Sequence, residues 1–109
     1  MPADAPLLVY VTTPDRDTAD ALARLAVGER LAACANRIGP VGSIYRWDGD
    51  VVVDEEVSLI LKTTRDRFDA LRDAIVDAHP YDCPCVVALP IVDGHGPWLQ
   101  WLRDETRDG

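Results

Sequence analysis

The spacing of apolar and polar residues divides the chain into strands and amphipathic helices. Residues 7–12 form a nearly continuous apolar run, which predicts a strand that is central in its sheet or covered on both faces. Apolar residues at i, i+3, i+4 and i+7 then predict a first helix, whose buried face comprises Ala19, Leu22, Ala23, Ala26 and Val27. The same spacing predicts a second helix, with a buried stripe of Phe68, Leu71, Ala74, Ile75 and Ala78.

Local signals place the ends of these helices. Thr13 offers a hydroxyl as the N-cap of the first helix, and Pro14 follows at the position where a helix best tolerates proline. Thr63 and Asp66 have the spacing of a capping box before the second helix. His79-Pro80 should end that helix, because proline cannot continue the hydrogen-bond ladder.

The strongest local signal is Asp48-Gly49, in the middle of the chain. This pair lies between two β-rich runs and supplies the two positive-φ positions of a type I′ turn. The sequence therefore predicts a hairpin with unusually long arms, residues 34–47 and 51–62. Glycine and proline at 39–42 predict a bulge or bend in the first arm.

The last third of the chain predicts one more strand and a short helix. Residues 83–92 are rich in β-formers but contain two prolines, which cannot donate to a ladder, so this strand should lie at a sheet edge. Trp98, Trp101 and Leu102 at i, i+3 and i+4 predict a short C-terminal helix. Residues 105–109 are expected to fray.

The order β-α-β-β-α-β predicts an α+β fold of the ferredoxin-like sandwich type, with two helices on one face of an antiparallel sheet. A chain of 109 residues should form a single domain, with an ordered core over residues 7–103. Near the hairpin turn, Tyr45, Trp47, Val51 and Val53 would be exposed in a monomer. A closed homo-oligomer could bury them.

Composition narrows the possible partners and the compartment. Nineteen acidic and eleven basic residues give a net charge of −8, which repels nucleic acid and anionic membranes and attracts cations. No apolar run approaches the roughly 20 residues of a transmembrane helix, and the N-terminus lacks the basic start of a secretory signal. Three cysteines, an odd number, are expected to be reduced thiols. We therefore expect a cytoplasmic protein that binds neither nucleic acid nor membrane.

Five segments of the chain carry motifs of one known family, namely residues 29–36, 43–49, 55–57, 61–64 and 79–84. In this order they resemble the CutA divalent-cation-tolerance proteins, and the resemblance runs from Val9 to about Leu102. It implies a compact homotrimer related in architecture to the PII signalling proteins. It also implies a role in tolerance of, or response to, divalent metals, copper especially. We predict no organic cofactor.

The resemblance also assigns individual positions. Cys34 matches the cysteine of the family's Leu-Ala-Ala-Cys motif, a position suggested for metal ligation. Lys62, Tyr45 and Trp47 fall on positions that line the cleft between subunits. The chain departs from the family at Cys85, where glutamate is common, and this places a soft donor where the family has a hard one.

The residues themselves indicate a possible metal site. Cys83 and Cys85 are separated by one residue in a segment expected to be extended, which points both sulfurs to the same side. Soft thiolates prefer Cu(I) or Zn(II). His79 lies close in sequence. Cys34 could add a third sulfur, within the subunit or across a subunit boundary. The competing interpretation is that the three cysteines are small buried hydrophobes and that His79 is a helix C-terminal cap.

Other interpretations of the charged residues stay open. Lys62 with Arg30 or Arg37 could cradle an anion between subunits, as in a PII-like module that binds a small anionic metabolite. The acidic run 54–56 is more typical of a solvated sheet edge than of a cation site. A trimeric scaffold with an indirect metal phenotype is a third possibility. The sequence offers no convincing nucleophile and base, so we do not expect an enzyme.

Overall fold

A computed structural model gives the structure of the protein and describes residues 1–107. Within this range the elements are β1 (Pro6–Thr13), α1 (Arg16–Gly28), β2 (Cys34–Trp47), β3 (Asp50–Thr64), α2 (Arg65–Ala78), β4 (Val86–Pro90) and α3 (Gly96–Glu105). The strands form one antiparallel sheet in the order β2-β3-β1-β4. The predicted ferredoxin-like α+β fold is therefore confirmed. In the described part of the chain, no helix has the length and apolar character needed to cross a membrane.

The core lies between one face of the sheet and helices α1 and α2. Burial alternates along β1, where Val9 and Val11 are fully buried and their neighbours are partly exposed. The core cluster comprises Val9, Val11, Leu22, Ala26, Leu31, Ala32, Leu59, Leu61, Leu71 and Ile75. We call the sheet face opposite the helices the open face. Its exposed apolar residues include Ile38, Val87 and Leu89.

The central hairpin forms as predicted. Asp48 and Gly49 have φ values of 51° and 84°, and Trp47 pairs with Asp50 across the turn. The predicted bulge appears as a register shift between Ile38 and Val41. The two arms have 14 and 15 residues and give the chain a long axis of 44 Å against 25 and 22 Å. The hairpin therefore extends well beyond the helical layer.

Both predicted N-caps are wrong by one or two residues. Asp15 caps α1 by accepting a 2.8 Å hydrogen bond from the Thr18 amide, because the Thr13 hydroxyl instead donates to the Val57 carbonyl. Thr64, not Thr63, is the N-cap residue of α2. The Thr63 side chain is buried and donates to the Leu31 carbonyl. In both cases β-strand alternation turns the predicted cap towards the core.

Other boundaries also differ from the sequence prediction. The fourth strand is an edge strand, as predicted, but it spans only Val86–Pro90, which leaves Cys83 and Cys85 in the preceding loop. The prediction that the chain frays from residue 105 onward is wrong at its start, because α3 includes Glu105 and the following Thr106 is buried. The part of that prediction at 108–109 lies outside the described residues. Two predicted helix-face residues, Val27 and Ala78, are exposed.

Candidate functional site

A groove of about 800 Å³ runs along the open face, between the hairpin and the segment that follows α2. Strand alternation turns Tyr45 and Trp47 of β2 and Glu56 of β3 towards it. The groove is lined by Thr12, Gly42, Ser43, Ile44, Tyr45, Trp47, Glu56, Pro80, Tyr81, Asp82, Cys83 and Cys85. In the described part of the chain these lining residues include two acids and three large aromatic side chains and no basic residue. The groove is thus acidic and aromatic.

Glu56 is the central charged group of the groove. Its side chain accepts a 2.9 Å hydrogen bond from the Tyr81 hydroxyl, and the residue is only 7% exposed. Tyr45 makes a longer contact of 3.4 Å with the neighbouring Asp54 carboxylate. The expectation of a solvated acidic edge is therefore wrong for Glu56, while Asp54 and Glu55 are exposed.

His79 does not line the groove but forms hydrogen bonds to two residues that do, Thr12 and Tyr81. The residue is buried, its Nδ1 accepts a 3.0 Å hydrogen bond from the Tyr81 amide, and its Nε2 lies 2.8 Å from the Thr12 carbonyl oxygen. Because Nδ1 is an acceptor here, we assign the proton to Nε2, which donates to Thr12. The ring also packs on Tyr81, with centroids 4.7 Å apart. His79 is the C-cap residue of α2, and metal ligation would require one of these two hydrogen bonds to break.

The surroundings of the groove shift three acid groups towards their neutral forms. Burial raises the pKa of Tyr81 far above its ordinary value, and the hydrogen bond to Glu56 raises it further. Burial also raises the pKa of the Cys85 thiol, with a second contribution from the Glu56 charge. Desolvation and the Asp54 charge raise the pKa of Tyr45. In the metal-free protein these groups therefore stay protonated more readily than in water.

The structure brings two of the predicted metal ligands together and keeps one apart. Cys83 and Cys85 are exposed free thiols that line the same groove. Cys34 lies on β2, the edge strand opposite β4. It pairs with Lys62 and is separated from β4 by three interstrand spacings, roughly 14 Å. Within the chain Cys34 therefore does not approach the thiol pair.

The donors of the described part of the chain do not complete a metal site. Among residues 1–107, no group of three or more His, Cys, Asp or Glu side chains is placed to hold a metal ion. Cys83 and Cys85 supply two sulfur donors, whereas a structural zinc site uses four ligands. The residues present therefore fit part of a soft-metal site.

The positively charged residues expected to cradle an anion between subunits bind different partners within the chain. Lys62 lies on the open face and donates to Asn36. Arg37 points to the helical face, where its Nη1 donates to both carboxylate oxygens of Asp20 at 2.9 Å. Arg30 contacts Glu105 at 3.7 Å. These three cations therefore point to different partners.

Comparison with known proteins identifies the family. A family model described as "CutA1 divalent ion tolerance protein" matches residues 7–105. The chain belongs to the CutA1 family. A relative named "Divalent-cation tolerance protein CutA" from Thermus thermophilus is 44% identical over 99 residues, which cover 91% of this chain and 96% of the relative. The rice "Protein CutA 1, chloroplastic" is 41% identical over 102 residues, and this chain spans 58% of its length.

Solved CutA1 structures agree with the fold. The structure of the "Divalent cation tolerance protein (Cut A1)" from Thermus thermophilus superposes with a TM-score of 0.91 at 43% identity. The match covers 94% of this chain and 99% of that one. The resemblance predicted from the sequence motifs is thus confirmed.

For this CutA1 chain, sequence reasoning identified the thiols and the hairpin aromatics of the groove but missed the hydrogen-bonded pair of Tyr81 and the buried Glu56. Tyr81 belongs to a recognised motif, yet no spacing rule connects it with Glu56, 25 positions earlier. One signal was available for Glu56. Strand alternation puts it on the same face as Ser58, which is also buried, and this would have argued against extending the solvated edge to Glu56.

Proposed function

We propose that the protein contributes to divalent-cation tolerance by binding a transition metal, copper, and that it acts as a cytoplasmic homotrimer. The observation that carries this proposal is family membership, because the matching model is described as a divalent ion tolerance protein. A binding role is preferred to a catalytic one for the same reason. The acidic groove adds local support, since carboxylates attract cations.

The proposed ligands are the two thiols of the groove. Pro84 fixes its own φ and restricts Cys83 to extended conformations, which holds the two thiols on a short and stiff segment. Soft sulfur donors favour copper or zinc over hard cations. The remaining ligands would come from a neighbouring subunit or from solvent. The sequence predicts His79, which is close in the chain, and Cys34, which could reach the site across a subunit boundary.

Exposed apolar surface supports the oligomer. The hairpin presents Ile44, Val51 and Val53 on one side and Trp47 on the other, with exposures of 74%, 62%, 76% and 57%. A monomer would leave this surface in contact with water, at about 25 cal/mol for each Å² of apolar area. Packing between copies would bury it. The three free cysteines suit the reducing cytoplasm.

The anion-binding alternative has less support. The positively charged residues expected to form its cradle are directed to separate partners, Arg37 to Asp20 and Arg30 to Glu105. The groove itself would repel an anion, since its charged lining residues are Glu56 and Asp82. We therefore favour cation binding.

The test is an anaerobic titration of the reduced protein with Cu(I) and with Zn(II), in competition with a chelator. We expect binding near one metal per subunit or one per trimer. The double variant Cys83→Ser/Cys85→Ser should lose it, while Cys34→Ser tests whether Cys34 of a neighbouring subunit supplies a further ligand. Binding no stronger than the chelator background in the unmodified protein would overturn the proposal. Sedimentation equilibrium tests the trimer, and a monomer at micromolar concentration would contradict it.

A further inference from the structure

The two thiols of the proposed metal site lie on a short loop whose ends are both held by β1. This loop, residues 79–85, joins α2 to β4. At its start, Nε2 of His79 lies 2.8 Å from the Thr12 carbonyl oxygen. Directly after its end, Val86 pairs with Val11 as the first residue of β4. Val11 and Thr12 are neighbours in β1, an inner strand of the sheet, so both ends of the loop are fixed to one rigid element.

Tyr81 holds the same loop a second time, two residues before Cys83. Its amide donates to Nδ1 of His79 over 3.0 Å, and its ring packs on the imidazole. Its hydroxyl donates to Glu56 of β3 over 2.9 Å. These contacts fix both the backbone and the side chain of Tyr81. Four residues then lead to β4, and one of them is Pro84, whose φ is restricted by its ring.

This arrangement bears on metal binding because it holds the thiol segment before any metal arrives. None of these hydrogen bonds involves the sulfur of Cys83 or Cys85. Donors that are already in place bind more tightly, since the chain loses less conformational freedom on binding. Residues that orient metal ligands typically contribute about 10–100-fold to metal affinity. His79 has both ring nitrogens engaged in the loop, which suits it to holding the segment and not to binding the metal itself.

We propose that His79 and Tyr81 are positioning residues for the thiol pair, and that neither of them binds the metal. The inference rests on the proposed metal function and gives His79 a role other than the ligand role that the sequence predicts. It depends on hydrogen bonds inside the chain. It therefore holds whether the groove is open or covered by a neighbouring copy.

Anaerobic titrations with Cu(I), in competition with a chelator, measure the effect on affinity. Tyr81→Phe keeps the ring and loses the bond to Glu56, and it should bind Cu(I) about tenfold more weakly than the unmodified protein. His79→Gln keeps a donor and an acceptor but is a poor ligand for a soft metal, so it should retain more affinity than His79→Ala. His95→Ala, at an exposed position, is the matched control and should bind Cu(I) normally.

Two further measurements report on positioning directly. The chain has two histidines, so nitrogen-15 NMR of the imidazole rings distinguishes His79 from His95. In the unmodified protein His79 should keep its Nε2–H tautomer when Cu(I) is added, whereas a ligand nitrogen would shift strongly. In the metal-free protein, His79→Ala should speed hydrogen exchange of the Tyr81 amide, because that amide loses its acceptor.

Three results would overturn the positioning role while leaving the metal function intact. They are a Cu(I)-dependent shift of a His79 ring nitrogen, full affinity in Tyr81→Phe, and equal losses of affinity in His79→Gln and His79→Ala. A failure of the proposed function is distinguishable from these, because the unmodified protein would then bind Cu(I) no better than the chelator background. That result would overturn both proposals.

Discussion

Tyr81 donates a 2.9 Å hydrogen bond to the side chain of Glu56, a residue of β3 that is only 7% exposed. The bond joins the segment after α2 to the base of the long hairpin. It thus fixes the groove wall that carries Cys83 and Cys85, and it satisfies a carboxylate that would otherwise be buried without a donor.

Tyr81→Phe removes this donor and keeps the ring. We expect the free energy of unfolding to fall by about 1–2 kcal/mol, because a buried carboxylate loses its partner. Urea denaturation at fixed protein concentration measures the change. Tyr45→Phe is the matched control and should have little effect, since its 3.4 Å contact is exposed. Equal destabilisation by the two variants would contradict a special role for the Glu56 pair.

His79→Ala tests the connection between α2 and β1. The substitution removes the hydrogen bonds to Thr12 and Tyr81 and the packing on the Tyr81 ring, so we expect a loss of about 2 kcal/mol. Thermal and urea unfolding measure it. The exposed His95→Ala variant should stay within about 0.5 kcal/mol of the unmodified protein. If His79→Ala is equally neutral, the hydrogen-bonding role assigned to this ring is wrong.

Gly49→Ala tests the turn of the hairpin. Gly49 has φ of 84°, a conformation that costs any residue with a Cβ about 1 kcal/mol. We expect a loss of this size in chemical denaturation. Gly42→Ala in β2 is the control, because a Cβ there meets no described heavy atom within 4 Å. A Gly49→Ala variant as stable as Gly42→Ala would show that the turn does not require positive φ at this position.

Glu56→Gln tests the electrostatic coupling between the groove carboxylate and a thiol. Burial and the Glu56 charge both raise the pKa of Cys85, so removing the charge should lower that pKa and leave the burial contribution in place. At pH 8 more of Cys85 is then thiolate, and its alkylation by iodoacetamide should become severalfold faster. Mass spectrometry gives the rates in the metal-free protein.

Cys34 is the internal reference for this experiment, since it lies on β2, away from the groove. The Cys85 to Cys34 rate ratio should rise in the variant and converge with that of the unmodified protein at high pH, where Cys85 is fully ionised in both. An unchanged ratio at pH 8 would mean that the Glu56 charge does not reach Cys85.

The elements of the fold could be predicted because their signals are local. The Asp48-Gly49 turn depends on two residues, and the helices on an apolar period that any segment displays by itself. The caps were misplaced because Thr13 and Thr63 have the right chemistry but face inward, where tertiary partners take their hydroxyls. Strand alternation decides this direction, and it is fixed only when the strand boundary is known.

By itself the sequence determined the order of strands and helices, the hairpin, the family and the presence of a thiol pair. Each of these depends on residues that are close together in the chain. Only the tertiary structure decided that Glu56 is buried against Tyr81, that His79 has both ring nitrogens engaged, and that Cys34 stands apart from Cys83 and Cys85. Those relationships depend on which strands become neighbours and which face each side chain takes. They join positions far apart in the chain, and no local spacing encodes the distance between them.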